Sequence, residues 1–541
     1  MPGVLLRAFA TVLALGTAAH GPWRPDRGDG TYSNPVLHAD YSDPDVVRVG
    51  DDFYLTASSF GSVPALPILH SRDLVNWTLV GHAAARLPSP DFDTPQHGKG
   101  VWAPSLRHHD GFFWIYYGDP DRGIYMTRAR DPRGPWEPLH LVHAAKGWID
   151  PCPLWDDDGQ VYLVHAWAKS RAGFNSVLHV RRLTPDGRSV VGEGTQVFDG
   201  TARHPTIEGP KFYKRAGWYY VVAPAGGVKD GWQTVLRSRS ALGPYEDRIV
   251  LARGKTDVNG PHQGGWVDTP GGEDWFVHFQ DKDAYGRIVH LQPLRWRDDW
   301  PVIGDDPDGD GTGEPVPAHA KPAVRGLAVP AVPATSDEFD SDALGLQWQW
   351  QANPDPSWAS LRGGVLRLRA VAAPGPSLWT AGSLLTQKWP APAFTARARL
   401  DPSALRAGDE AGLVVFGLDY ATLTVERTAR GLSLRHAICV GADKGNAEAV
   451  AASGSIQGPA EQVHGSADDR AHVTIAAEPV ELVVDVAADA SCRFAYAQGG
   501  ERQAIGPTFG AKPGLWVGAK VGVFARGSGG GHADFEWFRV E

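Results

Sequence analysis

Phe113-Trp114-Ile115-Tyr116-Tyr117 is a run of aromatic and β-branched residues that follows the turn signal Asp110-Gly111. Such a run, entered from a tight turn, is typical of a short β-strand. Four further runs of this kind follow turn signals elsewhere in the chain: Phe53-Tyr54-Leu55, Val161-Tyr162-Leu163-Val164, Trp218-Tyr219-Tyr220-Val221-Val222 and Trp275-Phe276-Val277-His278-Phe279. Measured between Tyr54, Trp114, Tyr162, Tyr219 and Phe276, the gaps are 60, 48, 57 and 57 residues. Each run also precedes a second apolar strand, so this period predicts a five-bladed β-propeller.

Three carboxylates occupy matching points of the repeat, 11 or 12 residues ahead of these aromatic residues. Because the first strand of a propeller blade lines the central channel, residues at this point should converge at one mouth of it. The residues concerned are Asp43, Trp102, Asp150, Glu208 and, 14 residues ahead, His262. Proline follows within two residues at four of the five places, which indicates equivalent strand starts. One acid near a turn is usually only solvated, whereas three in register predict a functional site.

The length and charge of the chain limit the classes of function. A chain of 541 residues is too long for one ordinary core, so at least two domains are expected. The net charge of −10 argues against a nucleic-acid partner, because no basic stripe is available to neutralise phosphates. With 42% hydrophobic and 21% charged residues, the composition is that of an ordinary soluble globular protein.

The N-terminus resembles a secretion signal. The chain is apolar between Val4 and Leu15 apart from Arg7 and Thr11, and small residues follow at Thr17-Ala18-Ala19. We therefore expect residues 1–19 to be a signal peptide, the protein to be exported to the periplasm or outside the cell, and no membrane segment to remain after cleavage. The n-region is weak, so a retained anchor or an incorrectly assigned start stays an alternative.

A domain boundary is expected at residues 305–335, between a propeller at residues 30–304 and a second domain at residues 336–541. The stretch from Pro315 to Ala334 is rich in Pro, Ala and Val and shows no strand alternation, which indicates an extended linker. Before it, Asp306, Asp308 and Asp310 imitate the start of a calcium loop, but Pro317 stands where a bidentate Glu is needed. We interpret this stretch as a solvated acidic turn. The last two hundred residues alternate with period two between Gly-rich turns, which predicts a β-sandwich and an all-β protein.

The three cysteines make an odd count for an exported protein. Cys439 and Cys492 both lie in the second domain and could form a disulfide. Cys152 stands two residues after Asp150, on the same face if the strand is regular. We expect a buried free thiol there rather than a nucleophile, because no His or Lys is adjacent in the sequence to lower its pKa.

Three convergent carboxylates suit the hydrolysis of a glycosidic bond. That reaction needs one carboxylic acid to protonate the leaving oxygen and one carboxylate to activate water or to attack carbon. A third acid beside the proton donor raises the pKa of the donor and keeps it protonated. Two roles are required and three candidates are present.

At this point the motifs resemble those of glycoside hydrolase family 43, which contains β-xylosidases and α-L-arabinofuranosidases. They occur in order at the repeat positions: Tyr41-Ser42-Asp43-Pro44-Asp45, Val101-Trp102-Ala103-Pro104-Ser105, Ile149-Asp150-Pro151 and Ile207-Glu208-Gly209-Pro210. The C-terminal region is similar to the concanavalin-like sandwich that accompanies many xylosidase members. The resemblance implies an inverting hydrolase with Asp43 as general base, Glu208 as general acid and Asp150 as the residue that orients the acid and raises its pKa.

The same resemblance implies secondary roles. Arg287 would contact the substrate or the catalytic acids, and Trp102 and Phe60 would form apolar walls of the sugar subsite. His262 would approach the substrate and a calcium ion on the propeller axis, which is a structural ion and not a required cofactor. For Arg287 a surface ion pair, and for His262 a core histidine, stay open as alternatives. Asp45 departs from the family pattern, which usually has a small residue there, and this leaves the polarity near the base and the sugar preference open.

We therefore expect an exo-acting pentosidase that releases xylose or arabinofuranose from xylan- or arabinan-derived oligosaccharides. Two alternatives remain at this point. The first is an endo-acting hydrolase of the arabinanase type, with an open groove in place of a pocket. The second is a carbohydrate-binding protein without catalysis, although a binder would not require all three acids.

Overall fold

The computed structural model describes residues 21–326, 329–454 and 473–541. The predicted signal segment lies outside the described residues. Among the described residues, no helix has the length and apolar character that crossing a bilayer requires. The first strand, β1 (Thr31–Ser33), lies outside the blades described next.

Five four-stranded antiparallel sheets follow, each with its strands paired in chain order. They are β2 (Asp45–Val49), β3 (Asp52–Thr56), β4 (Ala65–Ser71) and β5 (Trp77–Ala84); β6 (Trp102–His109), β7 (Phe112–Asp119), β8 (Gly123–Ala129) and β9 (His140–Ala144); β10 (Trp148–Trp155), β11 (Val161–Trp167), β12 (Val177–Leu183) and β13 (Val190–Asp199); β14 (Lys211–Arg215), β15 (Trp218–Ala225), β16 (Trp232–Ser238) and β17 (Glu246–Leu251); and β18 (His262–Asp268), β19 (Asp274–Asp281), β20 (Arg287–Arg297) and β21 (Trp300–Ile303). A short helix, α1 (Lys169–Ala172), stands between β11 and β12. The five-bladed prediction is confirmed, and the five aromatic runs fall on the second strand of each blade.

Alternation along these second strands explains how the blades pack. On β7, Phe113, Ile115 and Tyr117 join a core shared with the first blade, whereas Trp114 and Tyr116 join a core shared with the third. Each of the other three pairs of neighbouring blades also encloses one apolar core. Because both faces of each sheet are covered, the aromatic runs are apolar throughout. The innermost strands β2 and β18 are in contact, which closes the ring.

The connection to the second domain is partly ordered against the propeller. Within the predicted linker, β22 (Ala318–Ala320) pairs with β1. The acidic turn ahead of it is held by Asp306, whose carboxylate accepts from the backbone N–H groups of Gly309 and Gly311 and lies 2.9 Å from Arg297 Nη1.

The second domain is a sandwich of two antiparallel sheets around one core, as predicted. One sheet has the order β23-β26-β36-β28-β29-β30-β31, with β32 also on β30, and the other has the order β24-β25-β37-β27-β33-β34-β35. The strands are β23 (Gln349–Trp350), β24 (Ala359–Arg362), β25 (Val365–Arg369), β26 (Leu385–Lys388), β27 (Phe394–Asp401), β28 (Asp409–Phe416), β29 (Tyr420–Thr428), β30 (Gly431–Cys439), β31 (Ala449–Gly454), β32 (Val473–Ile475), β33 (Val480–Val486), β34 (Ser491–Ala497), β35 (Gln503–Gly510), β36 (Lys520–Gly527) and β37 (His532–Val540). Tyr285 of the propeller packs into the core of the sandwich, so the two domains share apolar contacts.

The cysteines do not form the disulfide considered above. Cys439 lies on β30 in one sheet and Cys492 on β34 in the other, and both are buried free thiols. Their sulfur atoms approach separate main-chain carbonyl oxygens, those of Asn446 and Ala490. Burial raises the pKa of each of these thiols, which makes thiolate chemistry unfavourable.

Candidate active site

One residue at the start of each inner strand has a left-handed backbone conformation. The residues are Asp43 (φ 54°), Ala103 (φ 38°), Asp150 (φ 57°), Gly209 (φ 59°) and Gln263 (φ 32°). In β6, β10 and β18 the ladder shifts register at this residue, which is a β-bulge. Bulges re-aim side chains and are common next to active sites. The repeat therefore turns one residue per blade toward the same mouth of the channel.

This geometry corrects the predicted alignment by one residue in three blades. Ala103, Gly209 and Gln263 are the structural equivalents of Asp43 and Asp150, whereas Trp102, Glu208 and His262 each stand one position earlier. The error arose because the distance to the aromatic run varies with the length of the intervening turn. Glu208 therefore enters the site from a different backbone position than the two aspartates.

The three predicted carboxylates nevertheless line one pocket. The empty volume of this pocket is about 470 Å³, which includes the space open to solvent at its mouth. The lining residues are Asp43, Phe60, Trp102, Ala103, Ile149, Asp150, Glu208, Val228, Gln263, Arg287 and Trp516. Of the residues predicted to bind substrate, Phe60, Trp102 and Arg287 line the pocket, and His262 lies behind it.

Asp43 is buried and held from two sides. Ser58 Oγ donates to Asp43 Oδ2 at 2.6 Å, and Arg287 Nη1 lies 3.0 Å from Asp43 Oδ1. Ser58 Oγ in turn accepts from the N–H of Ala103, the left-handed residue of the next blade. The Arg287 guanidinium is therefore a buried partner of the carboxylate, not part of a surface ion pair, and it leaves Asp43 as a fixed acceptor.

Asp150 is buried beside a second carboxylate. Its Oδ2 accepts from the N–H of Gly209 at 2.8 Å. Burial, and next the charge of Glu208, raise the pKa of Asp150 well above its ordinary range. A side chain at Gly209 would place Cβ 2.5 Å from Gln263 Cδ, so only glycine permits this close approach. The site therefore holds a proton on the Asp150–Glu208 pair at pH values where an ordinary carboxyl is ionised.

Glu208 is the most accessible of the three acids. Its side chain is 33% exposed, whereas those of Asp43 and Asp150 are buried. His262 Nε2 lies 3.3 Å from Glu208 Oε1. Glu208 can therefore reach an oxygen atom that enters the mouth of the pocket, while the two aspartates stay at its base.

The sandwich domain completes the wall of the pocket. Trp516 lies in the loop between β35 and β36, is 46% exposed and lines the same pocket as the carboxylates. Its ring centroid is 6.3 Å from that of Trp102 and 5.9 Å from Arg287 Cζ. Trp516 was not among the site residues predicted from the sequence. The signal that could have found it is Pro513-Gly514, a turn followed directly by two apolar residues.

Comparisons with known proteins agree with this geometry. A model of glycosyl hydrolases family 43 matches residues 32–301, and a model of the β-xylosidase C-terminal concanavalin A-like domain matches residues 336–541. A putative β-xylosidase of Xylanibacter ruminicola is 48% identical over 366 residues, which are 67% of either chain. The chain belongs to glycosyl hydrolase family 43.

Two further relatives align over most of this enzyme. A β-xylosidase of Formosa agariphila is 34% identical over 466 residues, covering 76% of this chain and 78% of its own. The crystal structure of a xylan β-1,4-xylosidase from Bacillus halodurans superposes with a TM-score of 0.81 at 26% identity, covering 94% of this chain and 99% of its own. The two-domain arrangement is thus shared with this solved structure.

Asp45, the departure from the family pattern, does not reach the pocket of this family 43 enzyme. Its side chain is fully buried, and Asp45 Oδ2 accepts from Arg107 Nη1 at 2.7 Å and from the N–H of Leu106 at 2.8 Å. Lys211 Nζ, also buried, lies 4.0 Å away. Asp45 therefore neutralises two cations below the active site and does not set the polarity next to the sugar.

Cys152 belongs to this same layer of the family 43 enzyme. The bulge at Asp150 breaks the alternation of β10, so Cys152 packs in the core instead of lining the pocket. Its Sγ accepts from Arg107 Nη2 at 2.9 Å and from the N–H of Phe212 at 3.2 Å. Burial raises the pKa of the thiol, as expected for a structural cysteine.

Proposed function

We propose that this family 43 enzyme is an exo-acting, inverting hydrolase that removes xylose or arabinofuranose units from the ends of xylan- or arabinan-derived oligosaccharides. The observation that carries the proposal is the unequal setting of three carboxylates in one pocket. Asp43 is fixed by a cation, Asp150 is buried with a raised pKa, and Glu208 faces the mouth. Environments that separate the acid and base roles in this way are typical of glycosidases.

The proposed reaction uses this chain's own side chains without a cofactor. Asp43 accepts a proton from a water molecule while the water oxygen bonds to the anomeric carbon. Glu208 donates a proton to the glycosidic oxygen as the bond between that oxygen and the anomeric carbon breaks. The product then has the opposite anomeric configuration, which requires the two carboxyl groups to stand about 6.5–9.5 Å apart. Asp150, held by the N–H of Gly209, keeps the shared proton available to Glu208.

The walls of the pocket favour exo action over cleavage within a chain. Phe60, Trp102 and Trp516 contact one another in sequence and form an aromatic wall that narrows the space beside the acids. A continuous polysaccharide needs an open groove, whereas a single terminal sugar fits a pocket. Relatives carry the names β-xylosidase and, in Bacteroides ovatus, non-reducing end α-L-arabinofuranosidase, so both sugars belong to the proposal.

Nitrophenyl β-xyloside and nitrophenyl α-L-arabinofuranoside test the function directly. We expect turnover of at least one of them and release of single sugars from xylo- or arabino-oligosaccharides. Proton NMR of the first-formed sugar should show inverted configuration. Early product of retained configuration would remove Asp43 as the base, release of oligosaccharides from arabinan would support the endo alternative, and binding without turnover would support the non-catalytic one.

Export is the proposed localisation. The apolar segment at the N-terminus supports it, and it lies outside the described residues. Expression of the full chain followed by N-terminal sequencing of the product should give a protein that begins near residue 20 in the periplasm or medium. A full-length product in the cytosol would contradict this proposal.

A calcium ion near His262 stays a prediction. The fit is incomplete, because calcium takes six to eight oxygen ligands and the described residues offer an imidazole there. Nδ1 of His262 is buried and has no hydrogen-bond partner among the residues that the structure describes, a position that suits a water molecule, including one bound to an ion. If calcium binds, a chelator will lower the melting temperature and calcium will restore it. An unchanged melting temperature and no bound metal would remove the ion.

A further inference from the structure

Asp40 is a buried carboxylate at the boundary between the two domains. It is 4% exposed and lies three residues before the proposed base. Its Oδ1 accepts from the N–H of Arg287 at 2.9 Å, and its Oδ2 accepts from the N–H of Gly518 at 3.0 Å. One oxygen atom therefore binds the propeller, and the other binds the loop of the sandwich that carries Trp516.

The backbones on the two sides of Asp40 pack directly against each other. The N–H of Ala519 donates to the carbonyl oxygen of Ala284 at 2.7 Å. A side chain at Gly286 would place Cβ 2.5 Å from the nitrogen of Gly518 and 2.6 Å from Asp40 Cγ. A side chain at Gly518 would likewise meet Gly286 and Tyr285 at 2.8 Å. Glycine at both positions is therefore needed for this contact.

Asp40 also accepts from Ser42 Oγ at 3.1 Å, and its two hydrogen bonds from main-chain N–H groups end close to residues of the pocket. Arg287, whose backbone Asp40 holds, pairs through its side chain with Asp43. Gly518, whose backbone Asp40 also holds, stands two residues after Trp516. A shift of the sandwich loop would therefore move two groups of the pocket, Trp516 in its wall and the Arg287 guanidinium beside the proposed base.

Charge complementarity supports the same contact. Lys388 and Lys520 both come from the sandwich. Burial lowers the pKa of Lys388, and burial and then the charge of Lys388 lower the pKa of Lys520 to about 7, while the charge of Asp40 opposes both shifts. Lys520 Nζ also donates to Ser62 Oγ at 2.6 Å, which ties β36 to the propeller. Asp40 is thus a propeller carboxylate whose charge opposes the deprotonation of two buried sandwich lysines, and an uncharged side chain would lower the pKa of both further.

We infer that Asp40 is a positioning residue that couples the sandwich loop bearing Trp516 to the Arg287–Asp43 pair, so that the second domain sets the geometry of the base as well as the shape of the pocket. The inference rests on the proposed role of Asp43. Asp40 touches neither the sugar nor the water, so its effect passes through Arg287 and Trp516.

Asp40→Asn tests the coupling with little change of shape. The amide nitrogen cannot accept, so one of the two N–H donors loses its partner. We expect kcat/KM to fall about 100-fold in correctly folded enzyme, the penalty typical of a misplacement near 1 Å. Because the position of Trp516 is affected, the inhibition constant of free xylose should rise. Because the position of the proposed base Asp43 is also affected, kcat should fall.

Asn353→Ala is the matched control. Asn353 is buried at the same domain boundary, where it exchanges two hydrogen bonds with the backbone of Leu87 away from the pocket. The Asn353→Ala variant should have a lower melting temperature. At temperatures below its unfolding transition, its kcat and its inhibition constant for xylose should be unchanged. If Asp40→Asn behaved in the same way, its role would be structural only and the inference would be overturned.

Gly518→Ala breaks the contact from the other side. It pushes the loop away while leaving the Asp40–Arg287 hydrogen bond in place. If both variants act through one link, the loss in the double variant will be clearly smaller than the product of the two single losses. Independent losses that multiply would contradict the coupling.

The base and acid assignments are separable in the same assays. A displaced base should reduce turnover of nitrophenyl and methyl glycosides by similar factors, because protonation of the leaving group belongs to Glu208. If Glu208→Ala showed no dependence on the leaving group, the proposed function would fail, while the comparison of Asp40→Asn with Asn353→Ala would still decide the coupling.

Discussion

The floor of the pocket and its outer wall come from two differently organised regions. The floor comes from the propeller, where each of five equivalent strand starts turns one residue with left-handed backbone conformation toward the channel. The outer wall includes Trp516, which comes from a single loop of the sandwich and does not belong to the five-fold repeat. The proposed chemistry thus depends on a repeated backbone feature, and closure of the pocket depends on one contact between domains.

The same contrast occurs within the propeller over a distance of two residues. Asp43 faces the pocket from a left-handed position, while Asp45 begins the regular strand β2 and faces the buried cations Arg107 and Lys211. Both are buried aspartates with an arginine partner. Backbone conformation, and not residue type, decides which carboxylate is available for chemistry.

A large effect is expected from Glu208→Ala, which removes the proposed acid at the mouth of the pocket. General acid catalysis is worth about 10²–10⁴-fold, and it matters most when the leaving group is a poor one. We expect the kcat of methyl glycosides or xylo-oligosaccharides to fall by about 10³-fold and that of nitrophenyl glycosides by far less. Steady-state kinetics on both substrate types measure this difference, and equal losses would contradict the role of Glu208 as acid.

Asp45→Ala should separate the two neighbouring aspartates. Removing one partner of a buried ion pair costs about 3–5 kcal/mol, because the other charge stays buried. We expect denaturant unfolding to show a loss of this size, with near-normal kcat in the folded fraction, whereas Asp43→Ala should abolish turnover with a smaller loss of stability. A large fall in kcat for Asp45→Ala in folded enzyme would place Asp45 in the chemistry after all.

Much of this arrangement is readable from the sequence because it repeats. The aromatic runs identify the second strands, and counting back places Asp43 and Asp150 at equivalent positions. The count fails by one for Glu208, since bulges and turn lengths differ between blades and leave no mark on hydrophobic alternation. The turn Pro513-Gly514 marks the loop that carries Trp516, but the roles of Trp516 and Asp40 could not be predicted, because they come from contacts between residues hundreds of positions apart. The possible Cys439–Cys492 disulfide does not form, and the sequence could not show this because it does not say which sheet each strand joins.

Asp150→Asn should lower the activity of the enzyme and raise its free energy of unfolding. The pKa of Asp150 is raised in the folded protein, so its carboxyl favours the protonated state there, whereas the unfolded chain ionises above about pH 3.9. Folding of the wild type therefore becomes less favourable as pH rises from that value through the raised pKa. Asparagine does not ionise and keeps an acceptor for the N–H of Gly209. We expect the variant to be the more stable protein at pH 8, where the unfolded wild-type chain has released a proton that the folded protein favours keeping, with the difference vanishing near pH 3.5. Urea unfolding at both pH values measures it, and a variant less stable than wild type at pH 8 would contradict the buried-charge account.

The smallest effect is expected at the outer wall, from Trp516→Ala. An aromatic contact of this kind is worth about 0.5–1.5 kcal/mol, so removing it should raise KM up to about tenfold. The kcat should change less, because the carboxylates stay in place. Leu515→Ala is the matched control, since Leu515 is the adjacent exposed apolar residue and lies outside the lining of the pocket. If both variants raised KM equally, the wall would act through the general position of the loop. A selective effect of Trp516→Ala, with faster attack on longer or branched substrates, would show that the sandwich limits which sugars enter a site whose chemistry belongs to the propeller.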